Sequence, residues 1–379
     1  MDLTPSPGDE SFRAEARAWL AAHVPRTPLP SLETAAGFAA HRAWEAELAA
    51  DRWSVVSWPA EFGGRDCGLG RWLVFEEEYW AAGAPGRVGQ NGVSLLAPTL
   101  FDHGTPEQRS RVLPPMARGE VVWAQAWSEP EAGSDLASLR SRAVRVAGGW
   151  LLGGQKTWSS RAAFADRAFG LFRSDPDAPR AHQGLTYLMF DLRAPGVTVR
   201  PIGRLDGKPA FAELFLDDVF VPDEDVIGAP GEGWRIAMSA AGNERGLTLR
   251  SPGRYLAAAD RLAALWRRRG CPAYAHDRVA DALIGARAYH LFTQEAASRF
   301  LAGAELGAES SMNKVFWSEY DLALHETALE LLDGQGEFAE GAWAEGYVFA
   351  LAGPVYAGTN EIQRDIVAER LLGLPKGRR

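Results

Sequence analysis

Chemistry-capable residues gather in three stretches and one isolated pair. The longest stretch is Gly353-Pro-Val-Tyr-Ala-Gly-Thr-Asn-Glu-Ile-Gln-Arg364 and the residues after it. Gly358 allows a tight turn, Thr359 or Asn360 can cap a helix, and Glu361 falls in its first turn. Ile362, Ile366 and Val367 give that helix an apolar face, and Gly373 with Pro375 stops it. A turn running into a helix start offers free N–H groups and a positive dipole end to an anion such as a pyrophosphate. Taken alone, a C-terminal docking helix is the commoner use of such a segment. The second stretch, Ala126-Trp-Ser-Glu-Pro-Glu-Ala-Gly-Ser-Asp135, is by itself a turn whose Gly133-Ser134 can bring backbone close to a phosphate. The third, Gly153-Gly-Gln-Lys-Thr-Trp-Ser-Ser160, carries a tryptophan that in most strands would be core. The pair is Glu244-Arg245, which alone reads as an ordinary helix-surface ion pair contributing little.

These residues need a scaffold, and 379 residues with 46% hydrophobic content suffice for two or three subdomains. A net charge of −9 argues against general nucleic-acid binding. Cys67 and Cys271 are too few for a disulfide framework and lack metal-ligand spacing, so no metal is expected. The N-terminus shows no basic segment followed by an apolar run, and no stretch reaches a membrane span; a cytoplasmic protein is expected. Residues from about 9 to 122 read as helical, including a helix through Arg71–Trp80 and a start at Thr105 with Pro106 in its first position. Glu76, Glu77 and Glu78 could make an acid–base pair, but a solvated helix face with one interdomain ion pair is the plainer reading. Between Val121 and Pro222 the pattern changes to short β-type runs, such as Ala168–Phe172 and Leu185–Asp191, which suggest a barrel or sandwich. From Gly233 the helical period returns, with long helices over Leu256–Leu265, Arg278–Phe300 and Asn313–Leu332.

In this order and spacing, the three stretches resemble the signatures of the acyl-CoA dehydrogenase family: Thr-Glu-Pro-x-Ala-Gly-Ser-Asp, Asn-Gly-x-Lys-x-Trp-Ile-Thr and Tyr-Glu-Gly-Thr-x-x-Ile-Gln-Arg. Ser57-Trp-Pro-Ala-Glu-Phe-Gly-Gly64 is similar to a further loop of bacterial members. The resemblance spans nearly the whole chain. It implies an α+β fold: an N-terminal helical domain (1–122), a central β-barrel or sandwich domain (123–228) and a C-terminal four-helix bundle (229–379), with FAD between the β-domain and the bundle. Trp127, Ser128, Gly133, Ser134, Trp158, Ser160, Thr359 and Glu361 are the implied FAD-binding residues. Trp158 would pack beside the flavin ring, the Ser160 hydroxyl would approach its N5 edge, and Ser134 and Arg245 would also meet the substrate.

The family removes a proton alpha to a thioester and a hydride from the beta carbon, so a carboxylate must reach the alpha proton. In many members it stands where this chain has Ala357. The Ala357 amide would still donate to the thioester oxygen. In a branch acting on long, branched or steroid-linked acyl groups, the glutamate instead lies in a Glu-Arg pair on the bundle's first long helix, where Glu244-Arg245 stands; Glu244 is therefore the expected base. Two family segments are altered here, to Arg267-Arg-Arg-Gly-Cys-Pro-Ala-Tyr274 and Glu330-Leu-Leu-Asp-Gly334, which bears on adenosine contacts and assembly. The resemblance implies an acyl-CoA or acyl-carrier thioester substrate, an electron-transfer flavoprotein as acceptor, and a homodimer, homotetramer or hetero-oligomer. Two alternatives are a flavin monooxygenase or oxidase on the same fold, and a non-catalytic partner subunit of a heteromeric dehydrogenase.

Overall fold

Polar caps decide where the helices begin. Ser6 and Asp9 form a reciprocal capping box at α1 (Pro7–His23), and Thr34 caps α2 (Ala35–Ala50). After α3 (Leu69–Ala81) and α4 (Ala97–His103), Thr105 and Gln108 make a second capping box at α5 (Pro106–Ala117), with Pro106 opening the helix. The strands are β1 (Trp123–Ala126), β2 (Arg142–Val146), β3 (Gly149–Ser160), β4 (Arg167–Arg173), β5 (Leu185–Asp191), β6 (Val197–Ile202), β7 (Phe211–Pro222) and β8 (Val226–Ile227). Helices return as α6 (Gly233–Arg245), α7 (Pro252–Arg268), α8 (His276–Leu301), α9 (Glu309–Leu332), α10 (Gly334–Phe338), α11 (Ala342–Ala350) and α12 (Asn360–Ile366). The helices–strands–helices order follows the sequence pattern. The computed structural model describes residues 6–245, 251–304, 307–338 and 341–376, with the side chains of 240–245 and 337–338 outside the description.

The chain divides into two compact units. One, Thr27–Asp66 with Pro85–Glu244, holds an eight-stranded sheet of order β6-β7-β3-β2-β4-β5-β8, with β1 pairing parallel to β4. Alternate residues of β4 and β5 feed two cores, as the two-residue period of a strand requires. Phe169, Leu171, Tyr187 and Met189 join Leu96, Leu100 and Leu113 from the helices. Ala168, Phe172, Leu188 and Phe190 join Trp150, Leu152 and Leu214. Each fully buried large side chain here contributes about 1.5–3 kcal/mol. A Cβ at Gly170 would lie 2.2 Å from the Ala126 carbonyl oxygen, so glycine at that position lets β1 sit against β4.

The other unit, Met1–Arg26, Cys67–Ala84 and Arg245–Arg379, packs α7, α8 and α9 around Tyr255, Leu262, Val279, Trp317 and Leu324. In it the expected solvated face of α3 is absent. Glu78 accepts hydrogen bonds from Arg13 (2.9 Å) and Arg17 (2.8 Å), and Glu77 from Arg13 (3.0 Å). His290 Nε2 lies 2.6 Å from the Glu77 carboxylate. Burial pushes the Glu78 carboxyl up, but the hydrogen bonds from Arg17 and Arg13 outweigh it and leave it below the ordinary value. Glu77 lies within 1–122 and His290 within 229–379, so their contact joins the two expected domains inside one compact unit. No helix of the described residues is long and apolar enough to cross a membrane.

Candidate active site

The sheet unit brings the second and third stretches together through a buried ion pair. Lys156, on β3, is 0% exposed. Its ammonium donates to Glu129 Oε1 (2.8 Å), to the Leu171 carbonyl (2.7 Å) and to the Trp127 carbonyl (3.3 Å). Glu129 also accepts from the Arg140 N–H (2.6 Å) and the Ser141 N–H (2.9 Å). The Thr157 N–H donates to the Ser128 carbonyl (2.9 Å), and Trp127 Nε1 donates to the Tyr187 hydroxyl (3.1 Å). Burial pushes the Lys156 ammonium down to about 8 against the pull of Glu129. Burial also pushes the Glu129 carboxyl up, but the Lys156 charge and the Arg140 N–H hold it below its ordinary value. Both residues lie inside stretches the sequence singles out, yet neither is marked there as a clamp. The available signal is a lysine at an inward position of a strand, which needs an acid.

Beyond this clamp, β3 slips register against β7 between Lys156 and Ser159, a one-residue bulge. Trp158 sits in the bulge with φ 58° and is 60% exposed, its ring edge-on to Phe211 at 5.9 Å. Left-handed backbone costs an L-residue roughly 1–2 kcal/mol, so the bulge holds the indole out of the core at a cost. Ser160 follows, half-buried and paired with Phe211. Gly133 and Ser134 are exposed in their turn, with nothing within 4 Å of where a Gly133 Cβ would stand.

In the helical unit, Ala357 and Gly358 are both left-handed, with φ 55° and 79°. Thr359 caps α12, its hydroxyl accepting from the Ile362 N–H. Glu361 is exposed in the first turn, and its own N–H and the Thr359 side chain hold its carboxyl below the ordinary value. The helix is only seven residues long and runs into a π-helical turn, Val367–Leu371, so its dipole is smaller than the sequence pattern implies. Its buried side chains are polar, Asn360 and Gln363; Ile362, Ile366 and Val367, expected as the apolar face, are half-buried. Asn360 is anchored by Lys314 Nζ (2.8 Å) and the Ser318 hydroxyl (3.1 Å). Gln363 Nε2 donates to the Ala357 carbonyl (3.0 Å) and the Gly358 carbonyl (3.4 Å). Two such bonds contribute about 0.5–1.5 kcal/mol each, comparable to the left-handed cost at Ala357. Glu244 and Arg245 stand at the C-terminal end of α6, their side chains outside the described residues.

Family models for the N-terminal, middle and C-terminal domains of acyl-CoA dehydrogenases match residues 6–120, 124–219 and 231–372. The acyl-CoA dehydrogenase IpdE1 of Mycolicibacterium smegmatis is 38% identical, over 97% of this chain and 98% of the relative. The chain belongs to the acyl-CoA dehydrogenase family. It is thus a member of a family of oxidoreductases that typically bind FAD, and its α+β fold is the expected one. The Tcur3481–Tcur3483 steroid ACAD superposes with TM-score 0.86 at 26% identity, covering 100% of both chains. The ChsE4–ChsE5 complex of Mycobacterium tuberculosis gives the same TM-score, identity and coverage.

The described side chains around Trp158 fit a flavin. An exposed indole on a rigid bulge offers a planar group a face, and the strapped Ser128 segment beside it offers polar atoms. Among the described residues, none of the expected site residues lines the cavity of about 790 Å³ near Gln108, Arg111, Arg145 and Trp150. The two altered family segments meet where Arg269 donates to the Leu332 carbonyl (2.8 Å); beside them Arg269 also donates to Gln335 (3.3 Å), and Arg278 pairs with Glu330. Arg269 therefore serves the end of α9.

Proposed function

We propose that this chain is an FAD-dependent acyl-CoA dehydrogenase that forms a 2-enoyl thioester, with Glu244 as its general base. The observation that carries the flavin reading is Trp158, held 60% exposed by a left-handed bulge next to the Lys156–Glu129 clamp. FAD, when bound, supplies the two-electron acceptor for the beta hydride. When FAD is bound, Trp158 would cover its ring and the Ser128 segment and Ser160 would hold its polar edge, with Gly133, Ser134, Thr359 and Glu361 as further contacts. Glu244 takes the alpha proton, Arg245 lies beside it in sequence, and the Ala357 N–H holds the thioester oxygen as charge develops there. An electron-transfer flavoprotein would be the acceptor of the electrons. An acyl-CoA panel followed by anaerobic flavin bleaching tests this reading; peroxide or an oxygenated product formed only in air would replace it with an oxidase or monooxygenase.

The purified chain is expected to be yellow and to release FAD on heating. Trp158→Ala is expected to weaken FAD binding about 2- to 10-fold, from roughly 0.5–1.5 kcal/mol of aromatic contact. Titration of apoprotein with FAD checks both, and a chain that stays colourless in excess FAD overturns the cofactor assignment.

Ala357 favours a second reading, a partner subunit that completes another chain's site. In either case the chain is expected to be oligomeric. Ile284 and Leu291, two turns apart on α8, are exposed, as are Phe300, Leu301 and Leu372 of the same unit, apolar surface that association would cover. Sedimentation of the chain alone, and co-expressed with a related chain, checks this; a stable flavin-loaded monomer refutes it.

A further inference from the structure

We infer that Gln363 is a positioning residue for the thioester donor: by holding the backbone after Ala357 it aims the Ala357 N–H. This rests on the dehydrogenase reading above. Gln363 is 0% exposed and sits one turn into α12, so its side chain does not project into solvent. Its amide nitrogen donates to both carbonyls of the left-handed pair, Ala357 and Gly358. The Asn360 N–H closes the loop onto the Pro354 carbonyl (2.8 Å), and Asn360 is itself pinned by Lys314 and Ser318. The loop is therefore fixed at its ends by Asn360 and in its middle by Gln363. Among the described residues the Ala357 N–H has no acceptor.

The two peptide planes flanking Ala357 are coupled through its φ and ψ. With the plane after it held by Gln363 and φ at 55°, the N–H before it has one direction. Alanine prefers right-handed or extended backbone. Without the two Gln363 bonds only the Asn360 anchor at the loop's ends remains, the middle relaxes toward that preference, and the N–H turns away. The same interaction explains why a residue that lacks a carboxylate still keeps a strained conformation: the conformation serves the backbone donor.

The test uses the FAD-loaded protein and the 2-enoyl-CoA, labelled with ¹³C at its carbonyl, of the acyl-CoA that bleaches the flavin fastest. Difference infrared spectra read polarisation of the bound thioester carbonyl. In Gln363→Met the carbonyl band is expected to move back toward its solution position. The kcat is expected to fall at least about 10-fold with little change in KM, short of the roughly 100- to 1,000-fold typical of removing an oxyanion donor. Adding Ala357→Gly to Gln363→Met is expected to restore part of the band shift and of kcat, because glycine adopts the left-handed turn freely. A merely structural glutamine would lower stability without moving the band, and Ala357→Gly would rescue nothing. An unshifted band in the wild type sinks the thioester reading together with this one. A wild-type shift that survives in Gln363→Met sinks this one alone. If neither variant folds and holds FAD, Gln363 is a structural residue and the inference is wrong.

Discussion

Flavin reduction by acyl-CoA is expected to fall by roughly 100- to 10,000-fold in Glu244→Gln, the usual worth of a general base. Ala357 offers no proton acceptor. Glu244 lies in the last turn of α6, beside Arg245, the position that the sequence resemblance proposes for the base. Glu361, the nearest acid to the C-terminal signature, is exposed and engaged with its own helix start. Glutamine keeps the shape of the side chain, so FAD content and thioester binding should persist while anaerobic bleaching slows. Near-wild-type bleaching would remove Glu244 from the reaction and favour the partner-subunit or oxygen-using readings. Relocation is the sharper measurement. Glu244→Gln combined with Ala357→Glu should recover part of the rate if both positions face one alpha carbon. The backbone at 357 is already left-handed, so a glutamate there meets no new turn geometry, only the need for space in a half-buried position.

The fold was readable because its signals are local. Thr105 with Pro106 marks the start of α5 directly, and short continuous apolar runs mark β4 and β5. The readings that missed depend on residues far apart in the chain. Glu77 and Glu78 look like a solvated face until Arg13, Arg17 and His290 arrive from other helices. β1 has only four residues and depends on a glycine more than forty positions later to lie against β4. At the site, motif order pointed to Trp158, but its outward display follows from a register slip against β7 that no local pattern encodes. Gln363 is equally hidden: inside a helix signature it reads as one more polar residue, and its role appears only when the Ala357 carbonyl is seen to accept from it.

The Lys156–Glu129 clamp gives the largest expected stability effect. Glu129→Gln is expected to destabilise the sheet unit by about 3–5 kcal/mol, because it leaves a fully buried ammonium without its counter-charge. The loss should depend on pH in a defined direction. In the folded chain Lys156 titrates at about 8, below the ordinary 10.5, so the unfolded chain binds more protons there between those values. The cost of burying the charge is therefore full below about 8 and fades as pH rises toward 10.5. Glu129 is what pulls the value up, so in Glu129→Gln it drops further. The variant's extra loss is then full only below that lower value. It narrows as pH rises, and its charge component disappears above about 8, where Lys156 is neutral in both proteins. Urea unfolding of both proteins across this range measures the gap. Glu129→Gln with Lys156→Met should be more stable than Glu129→Gln alone, since no buried charge remains. The double variant should nevertheless bind FAD less tightly than wild type, because the ammonium that ties the Trp127 and Leu171 carbonyls together is gone. A gap below about 1 kcal/mol, or one that does not change with pH, would show that the pair contributes neither stability nor register to the site.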